Sequence, residues 1–197
     1  LTLPAPGATG SLGANKAIVV TSSPTKVVSV RTPVGTASGA AFTTQPQVSL
    51  QDLGNNVVTS DSSTVVTASV SAGATLVGTQ TATASSGVAT FSNLGITGTA
   101  GTAYTITYSA TFGGNALTVA TQSVTPTVGA ATQISITTQP VGATAGALLA
   151  NQPVVKVLDS GNNVVTGSSA SISVSASGGT LGGTSPITAS SGVATFT

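Results

Sequence analysis

The chain has 197 residues, of which only seven carry a formal charge: Lys16, Lys26, Arg31 and Lys156 against Asp52, Asp61 and Asp159. It contains no His, Cys, Met, Trp or Glu, so neither a Ser-His-Asp nor a Cys-His catalytic arrangement can be assembled from it. Four scattered cations and a handful of aromatic rings cannot form the basic, stacking surface that nucleic acid requires, and no apolar run approaches the roughly 18 to 20 residues of a membrane-spanning helix.

What remains is a chain of Thr, Ser, Ala, Val and Gly. Low charge with positive mean hydropathy argues against disorder. Abundant Val and Thr favour strands, while most of the strong helix formers are scarce. The expected class is all-β. With so little charge, the surface must consist of Thr, Ser, Asn, Gln and Gly, which tolerates wide contact with copies of itself.

In chain order, residues 1–23 end in Ala17-Ile18-Val19-Val20-Thr21, which is similar to the stretch Thr118-Val119-Ala120-Thr121 further on. They are expected to be the terminal strand or strands of a preceding repeat, or an N-terminal donor segment. No charged and apolar export leader is visible at Leu1. After Pro24, Val28 to Arg31 alternates as a first strand, and Gln47 to Leu50 forms a second. Asp52-Leu53-Gly54-Asn55-Asn56 is a turn, because Gly and Asn reach positive φ at low cost. Val57 and Val58 begin the return.

Val66, Ala68 and Val70 then line one face of a strand, with Thr67, Ser69 and Ser71 opposite. Further strands are expected over Thr79–Thr83, Val88–Phe91, Tyr104–Ala110 and Leu117–Ser123, separated by Gly73, Gly78, Ser85-Ser86-Gly87 and Gly98 to Gly101. Tyr104 is placed to make a tyrosine corner, its hydroxyl bonding to backbone upstream. The expected core is Val28, Val30, Val48, Leu50, Val66, Val70, Leu76, Phe91, Leu94, Ile96, Tyr104 and Ile106. Seven or eight short strands with turns every 8 to 12 residues make a sandwich pattern.

The pattern then repeats. Gly54-Asn55-Asn56-Val57-Val58-Thr59 returns as Gly161-Asn162-Asn163-Val164-Val165-Thr166, an offset of 107. Ala84 to Phe91 returns identically as Ala189 to Phe196, an offset of 105. Pro33-Val34-Gly35, Gln45-Pro46 and Asp52 return as Pro140-Val141-Gly142, Gln152-Pro153 and Asp159. A period this long is the size of a whole sandwich and not of a solenoid unit. The expected organisation is therefore tandem immunoglobulin-like β-sandwiches: repeat one over residues 24–126, and repeat two over 127–197, incomplete at its C-terminal end. Repeat two is expected to bury Ile134, Ile136, Val155, Val157, Ile172, Val174, Leu181, Ile187 and Phe196.

Each repeat reads Thr-Gln-Pro or Thr-Pro, a strand, and Gly-Asn-Asn-Val-Val-Thr, then a Gly-rich stretch and Gly-Val-Ala-Thr-Phe. Repeat one continues with Asn93-Leu94-Gly95-Ile96 and Ala100-Gly101-Thr102-Ala103-Tyr104. This resembles the bacterial immunoglobulin-like repeats of large surface proteins, including invasin- and intimin-type adhesins and giant secreted repeat proteins. The resemblance covers nearly everything from Pro24 onward and implies stalks, spacers or assembly modules, with some such repeats in phage virions and surface layers. It brings no catalytic residues.

Several positions invite a site. Asp52 and Asp159, beside paired Asn residues, suggest either a weak Ca²⁺ site or an Asx-capped turn, and one carboxylate per turn favours the cap. A Ser-Lys pair is conceivable, but Lys16, Lys26 and Lys156 occupy non-equivalent positions. Lys156 could join an isopeptide crosslink, yet its counterpart in repeat one is Ser49. Thr79-Gln80-Thr81-Ala82-Thr83 could present a flat hydroxyl array to ice or glycans, or could simply be a solvated strand face. No Asn-x-Ser/Thr sequon is present, and O-linked glycans stay open.

The expectation is a non-catalytic structural module at the cell surface or outside the cell, with no cofactor and no metal. Its partners would be identical subunits or neighbouring repeats, with glycans as a further possibility. It belongs to a filament, sheath, surface layer or stalk, and two alternatives stand beside that: an adhesin stalk whose binding tip lies elsewhere, and decoration of a phage virion. Two readings of the frame stand, the first preferred: the chain is a window on a longer polypeptide, or residues 1–23 of one subunit complete repeat two of the next by strand complementation.

Overall fold

The computed structural model describes residues 22–142 and 144–197, in which every regular element is a strand. The segment 1–23, read above as a strand of a preceding repeat, lies outside the described residues except for Ser22 and Ser23. Residues 24–126 hold β1 (Lys26–Arg31), β2 (Ala40–Ala41), β3 (Gln47–Gln51), β4 (Val65–Val70), β5 (Thr75–Val77) and β6 (Thr81–Ser85). They continue with β7 (Val88–Thr90), β8 (Gly95–Thr97), β9 (Tyr104–Ser109), β10 (Thr111–Phe112), β11 (Asn115–Ala116) and β12 (Ala120–Val124). Residues 127–197 hold β13 (Gln133–Thr138), β14 (Val154–Leu158), β15 (Ser171–Ile172), β16 (Ile187–Thr188) and β17 (Val193–Thr195).

The first set forms a sheet in the order β1-β3-β7-β6-β4-β9-β12, antiparallel throughout. Strand β6 divides its pairing: Thr81 to Thr83 bond to β4, while Ala84 and Ser85 bond to β7. The sheet thus becomes two leaves, β1-β3-β7 and β4-β9-β12, joined through one strand. The outer edges meet again where the Val27 N–H donates to the Thr118 carbonyl at 2.8 Å. A small sheet, β2-β8-β5, adds Leu76 and Ile96 to the same core. This all-β architecture of antiparallel sheets is consistent with a β-sandwich.

Alternation dictates what lies inside. Along β4 the odd residues Val65, Thr67 and Ser69 face solvent, and Val66 and Ala68 are buried. Val48, Leu50 and Phe91 come from one leaf, and Ile106 and Tyr108 from the other. The rings of Phe91 and Tyr108 meet with centroids 5.3 Å apart and planes tilted by 53°. The Tyr108 hydroxyl donates to Gln122 Oε1 at 2.7 Å, and Gln122 Nε2 donates to Ser29 Oγ and to the Arg31 carbonyl. Burial pushes the Tyr108 phenol far above its ordinary range, so it stays a neutral donor at all ordinary pH values. The tyrosine corner is present: the Thr99 N–H donates to the Tyr104 hydroxyl at 3.2 Å.

Two sets of expected core residues are corrected. In β1 the inward residue is Val27, 3 % exposed, whereas Val28 is half-buried and Val30 is 55 % exposed. Val27 stands opposite buried Leu50, so strand alternation sets Val28 and Val30 on the outer face and Ser29, which accepts from Gln122, on the inner one. In the second segment Val155, Val157, Ile172 and Phe196 are buried and Ile187 packs against them, but Ile134, Ile136, Val174 and Leu181 are exposed.

The two segments nevertheless share their hydrogen-bond pattern. Ile134 pairs with Val157 as Val27 pairs with Leu50, and the irregularity between Ser29 and Arg31 in β1 recurs between Ile136 and Thr138. Strands β15 and β16 repeat the β4–β6 register, with Ile172 opposite Ile187 as Val66 is opposite Ala82. The Phe91 and Phe196 N–H groups donate to the Pro46 and Pro153 carbonyls, both at 3.1 Å.

Leu50→Ala is expected to destabilise residues 24–126 by about 2–5 kcal/mol, and Val30→Ala by no more than about 0.5 kcal/mol; chemical denaturation of the two variants checks the corrected frame of β1.

Candidate inter-unit joint

The strongest candidate for a functional element is the contact between the two segments. It is built on the turn Asp159-Ser160-Gly161-Asn162-Asn163. Asn162 adopts φ 63°, a left-handed conformation that Asn tolerates. The Asp159 N–H donates to the Asn163 carbonyl, and the Asn162 N–H to the Asp159 carbonyl. Oδ1 of Asp159 accepts from the N–H groups of Gly161 and Asn163 at 2.8 and 2.9 Å. Oδ2 accepts from the Gly129 N–H at 2.8 Å, which ties the turn to the segment that connects β12 and β13. The Asn163 amide adds 3.0 Å contacts to both oxygens.

Asn163 also faces the first segment. Its Nδ2 donates to the Gly98 carbonyl at 2.9 Å, and its Oδ1 accepts the Ala100 N–H at 2.8 Å. The carboxamide therefore satisfies one acceptor and one donor of backbone that no strand partner uses. Gly161 lies beside this pair, where a Cβ would sit 2.4 Å from the Gly98 carbonyl oxygen and 2.5 Å from Ser38 Oγ. Only glycine allows that approach. Ser38 is itself buried and exchanges hydrogen bonds with Gly98, its Oγ donating to the carbonyl and accepting the N–H.

The connection between the segments is bonded along its length. The Ser38 N–H donates to the Thr127 carbonyl at 2.9 Å, the Thr127 N–H to Thr36 at 3.0 Å, and the Gly101 N–H to Pro126 at 2.9 Å. Pro126 is buried. The result is a pinned connector, in contrast to a solvated Gly/Ser linker. Next to it opens a cleft of about 380 Å³, lined by Gly73, Thr75, Thr97, Thr99, Ser160 and Asn162 among others. No charged side chain lines it, so its chemistry is that of hydroxyls and backbone amides.

The equivalent turn in the first segment, Asp52 to Asn56, has the same internal geometry. The Asn56 N–H donates to Asp52 Oδ1 at 2.9 Å, and Asn55 adopts φ 67°. This turn is exposed, with Leu53 and Asn56 facing solvent, and Lys26 Nζ donates to Asn55 Oδ1. Both aspartates thus act as Asx caps. Among the described residues no three His, Cys, Asp or Glu side chains gather as a metal site.

Asp61 is a third cap, its carboxylate accepting from the Ser63 and Thr64 N–H groups and, at 2.5 Å, from the Thr64 hydroxyl. Lys156 on β14 stands opposite Ser135 and Val193, neither a carboxyl nor a carboxamide. Thr81 and Thr83 do lie on an exposed face, next to Thr67 of β4; Thr79 and Gln80 precede the strand.

Sequence reasoning found the turn but not its dock. Gly98 to Gly101 reads as punctuation, and nothing local says that Gly98 and Ala100 bond to a side chain more than 60 residues away. The chain matches no protein-family model, no curated protein and no solved structure.

Burial pushes the Asp159 carboxyl upward, but the N–H groups of Gly129, Asn163 and Gly161 and the Asn163 amide outweigh it and hold it below its ordinary value of 3.8. Burial likewise raises Asp61, and Thr64 and Ser63 bring it below that value. Carboxylates depressed in the folded state contribute stability that is complete above the unfolded value and is lost as pH falls through the folded one. Stability is expected to be level from neutral pH down to about 4, then to fall, with Asp159→Asn losing part of that acid dependence in pH-resolved thermal melts.

Asn163→Ala is expected to cost about 1–3 kcal/mol and to broaden the distance distribution between spin labels on exposed Val30 and Ser169. Asn56→Ala, in the undocked turn, should leave that distribution unchanged.

Proposed function

We propose that this chain is a structural module: tandem immunoglobulin-like β-sandwiches in an extracellular or cell-surface assembly such as a filament, sheath, surface layer or stalk. It works by spacing and association and carries out no reaction. The observation that carries the reading is the joint at Asn163. A free linker would let two sandwiches reorient, whereas this connector is bonded at Pro126, Thr127 and Gly129 and locked by a carboxamide pair and a close glycine. Such a joint transmits orientation from one unit to the next, which is what a spacer or filament requires.

The exposed turn at Asp52–Asn56 supports extension of the same scheme. It has the geometry of the docked turn, and the Ser22 side chain reaches Asp52 at the position that Gly129 takes beside Asp159. Another unit of the same kind would seat there as residues 24–126 seat the second turn. The sparse charge and hydroxyl-rich faces allow side-by-side contact with copies of the chain, and association through exposed strand edges belongs to the same reading.

Antibodies raised against the folded chain are expected to label intact source cells or particles without permeabilisation. Labelling only after permeabilisation would reject the surface assignment.

A further inference from the structure

We propose that residues 24–126 bear tension along the chain, and that a seam between the entering strand β1 and the leaving strand β12, with Gln122 at its centre, is the element that resists it. The proposal rests on the structural reading above for the source of the load, and on the hydrogen bonds of the fold for the rest.

The chain enters this unit through β1 and leaves it through β12. The two run the same way, because the bridges that join their flanks, Lys26 with Thr118 and Ala37 with Thr127, are both parallel. Entry and exit therefore lie at opposite ends of the seam. Chain continues on both sides, so tension pulls β1 and β12 past each other lengthwise.

Cross-links run from one end of the seam to the other. At the entry end the Val27 N–H donates to the Thr118 carbonyl at 2.8 Å, and the Thr118 N–H to the Thr25 carbonyl at 3.0 Å. At the exit end the Thr127 N–H donates to the Thr36 carbonyl and the Ser38 N–H to the Thr127 carbonyl. The Thr36 hydroxyl adds a bond to the Thr125 carbonyl at 2.6 Å. Among the described residues no backbone bridge joins the two strands between those ends. A side chain takes that place. Gln122 Nε2 donates to Ser29 Oγ and to the Arg31 carbonyl, while its Oε1 accepts the Tyr108 hydroxyl of β9. Gln122 is 6 % exposed, and the low dielectric around it strengthens such bonds.

The direction of load decides how this seam fails. Sliding two strands lengthwise loads every cross-link together, and all must give before the strands part. Peeling from one end loads them in turn, and each gives alone for the modest strength of a single hydrogen bond. Because the seam joins the entering strand to the leaving one, the core behind it is shielded until it parts. Resistance to force is then set by the rate of that first separation.

The test is force spectroscopy on the full chain, which has no cysteine of its own, with thiol handles introduced in pairs. Ser23→Cys with Val128→Cys pulls the strands lengthwise. Ser23→Cys with Asn115→Cys, three residues before Thr118, peels them from the entry end. All three positions are exposed. At one fixed load, unfolding is expected to be slower by roughly tenfold or more in the lengthwise geometry. Gln122→Leu is expected to speed lengthwise unfolding by roughly tenfold and to leave peeling nearly unchanged, a split that a general loss of stability would not produce. Equal rates in the two geometries with Gln122 in place overturn the proposal, and that comparison decides alone should Gln122→Leu fail to fold. Equal acceleration of both geometries by Gln122→Leu overturns it too. Surface labelling reads where the module sits and these rates read its seam, so each can fail without the other.

Discussion

Everything in the first segment depends on one five-residue strand serving two masters. Seven antiparallel strands in one flat sheet would leave both faces wet, with no aromatic-rich core to compensate. Because β6 bonds to β4 through Thr81–Thr83 and to β7 through Ala84–Ser85, the sheet folds over and encloses Val48, Leu50, Phe91, Ile106 and Tyr108. The alanines at 82 and 84 are buried at that crossover. Larger side chains there would hold the leaves apart, since interiors pack at nearly crystalline density.

The same economy governs the polar interior. With three carboxylates in the whole chain, each is spent on a turn: Asp52 and Asp159 close matching loops, and Asp61 caps the bend before β4. A buried carboxylate is tolerable when N–H groups surround it, and Asp159 meets that condition with donors from its own turn and from Gly129. The Tyr108–Gln122–Ser29 chain does the equivalent for the leaf edges, tying β9 and β12 to β1. No buried side-chain nitrogen or oxygen among the described residues lacks a partner.

Much of this was legible beforehand, and the exceptions have physical causes. The alternation of Val66, Ala68 and Val70, the Asp-x-Gly-Asn-Asn turns and the Tyr104 corner follow from period-two burial and turn chemistry, which are local. Strand β1 misled because Val27, Val28 and Val30 offer two frames, and the choice is made by Leu50 across the ladder. Ile134 and Val174 are apolar at inward positions, yet burial depends on what lies over them, which pattern alone does not supply. The joint was invisible for a related reason: its partners are the backbone atoms of Gly98 and Ala100, and backbone carries no residue-specific signal.

The joint's composition also sets how it responds to its surroundings. A contact between charged side chains weakens as salt rises, because screening shortens the reach of each charge. Here the contact across the segments is a neutral carboxamide against peptide groups beside a glycine, and the one nearby charge is sealed within its own ring of donors. Salt therefore has little charge to screen across this joint, and the contact is expected to hold equally at low and high ionic strength.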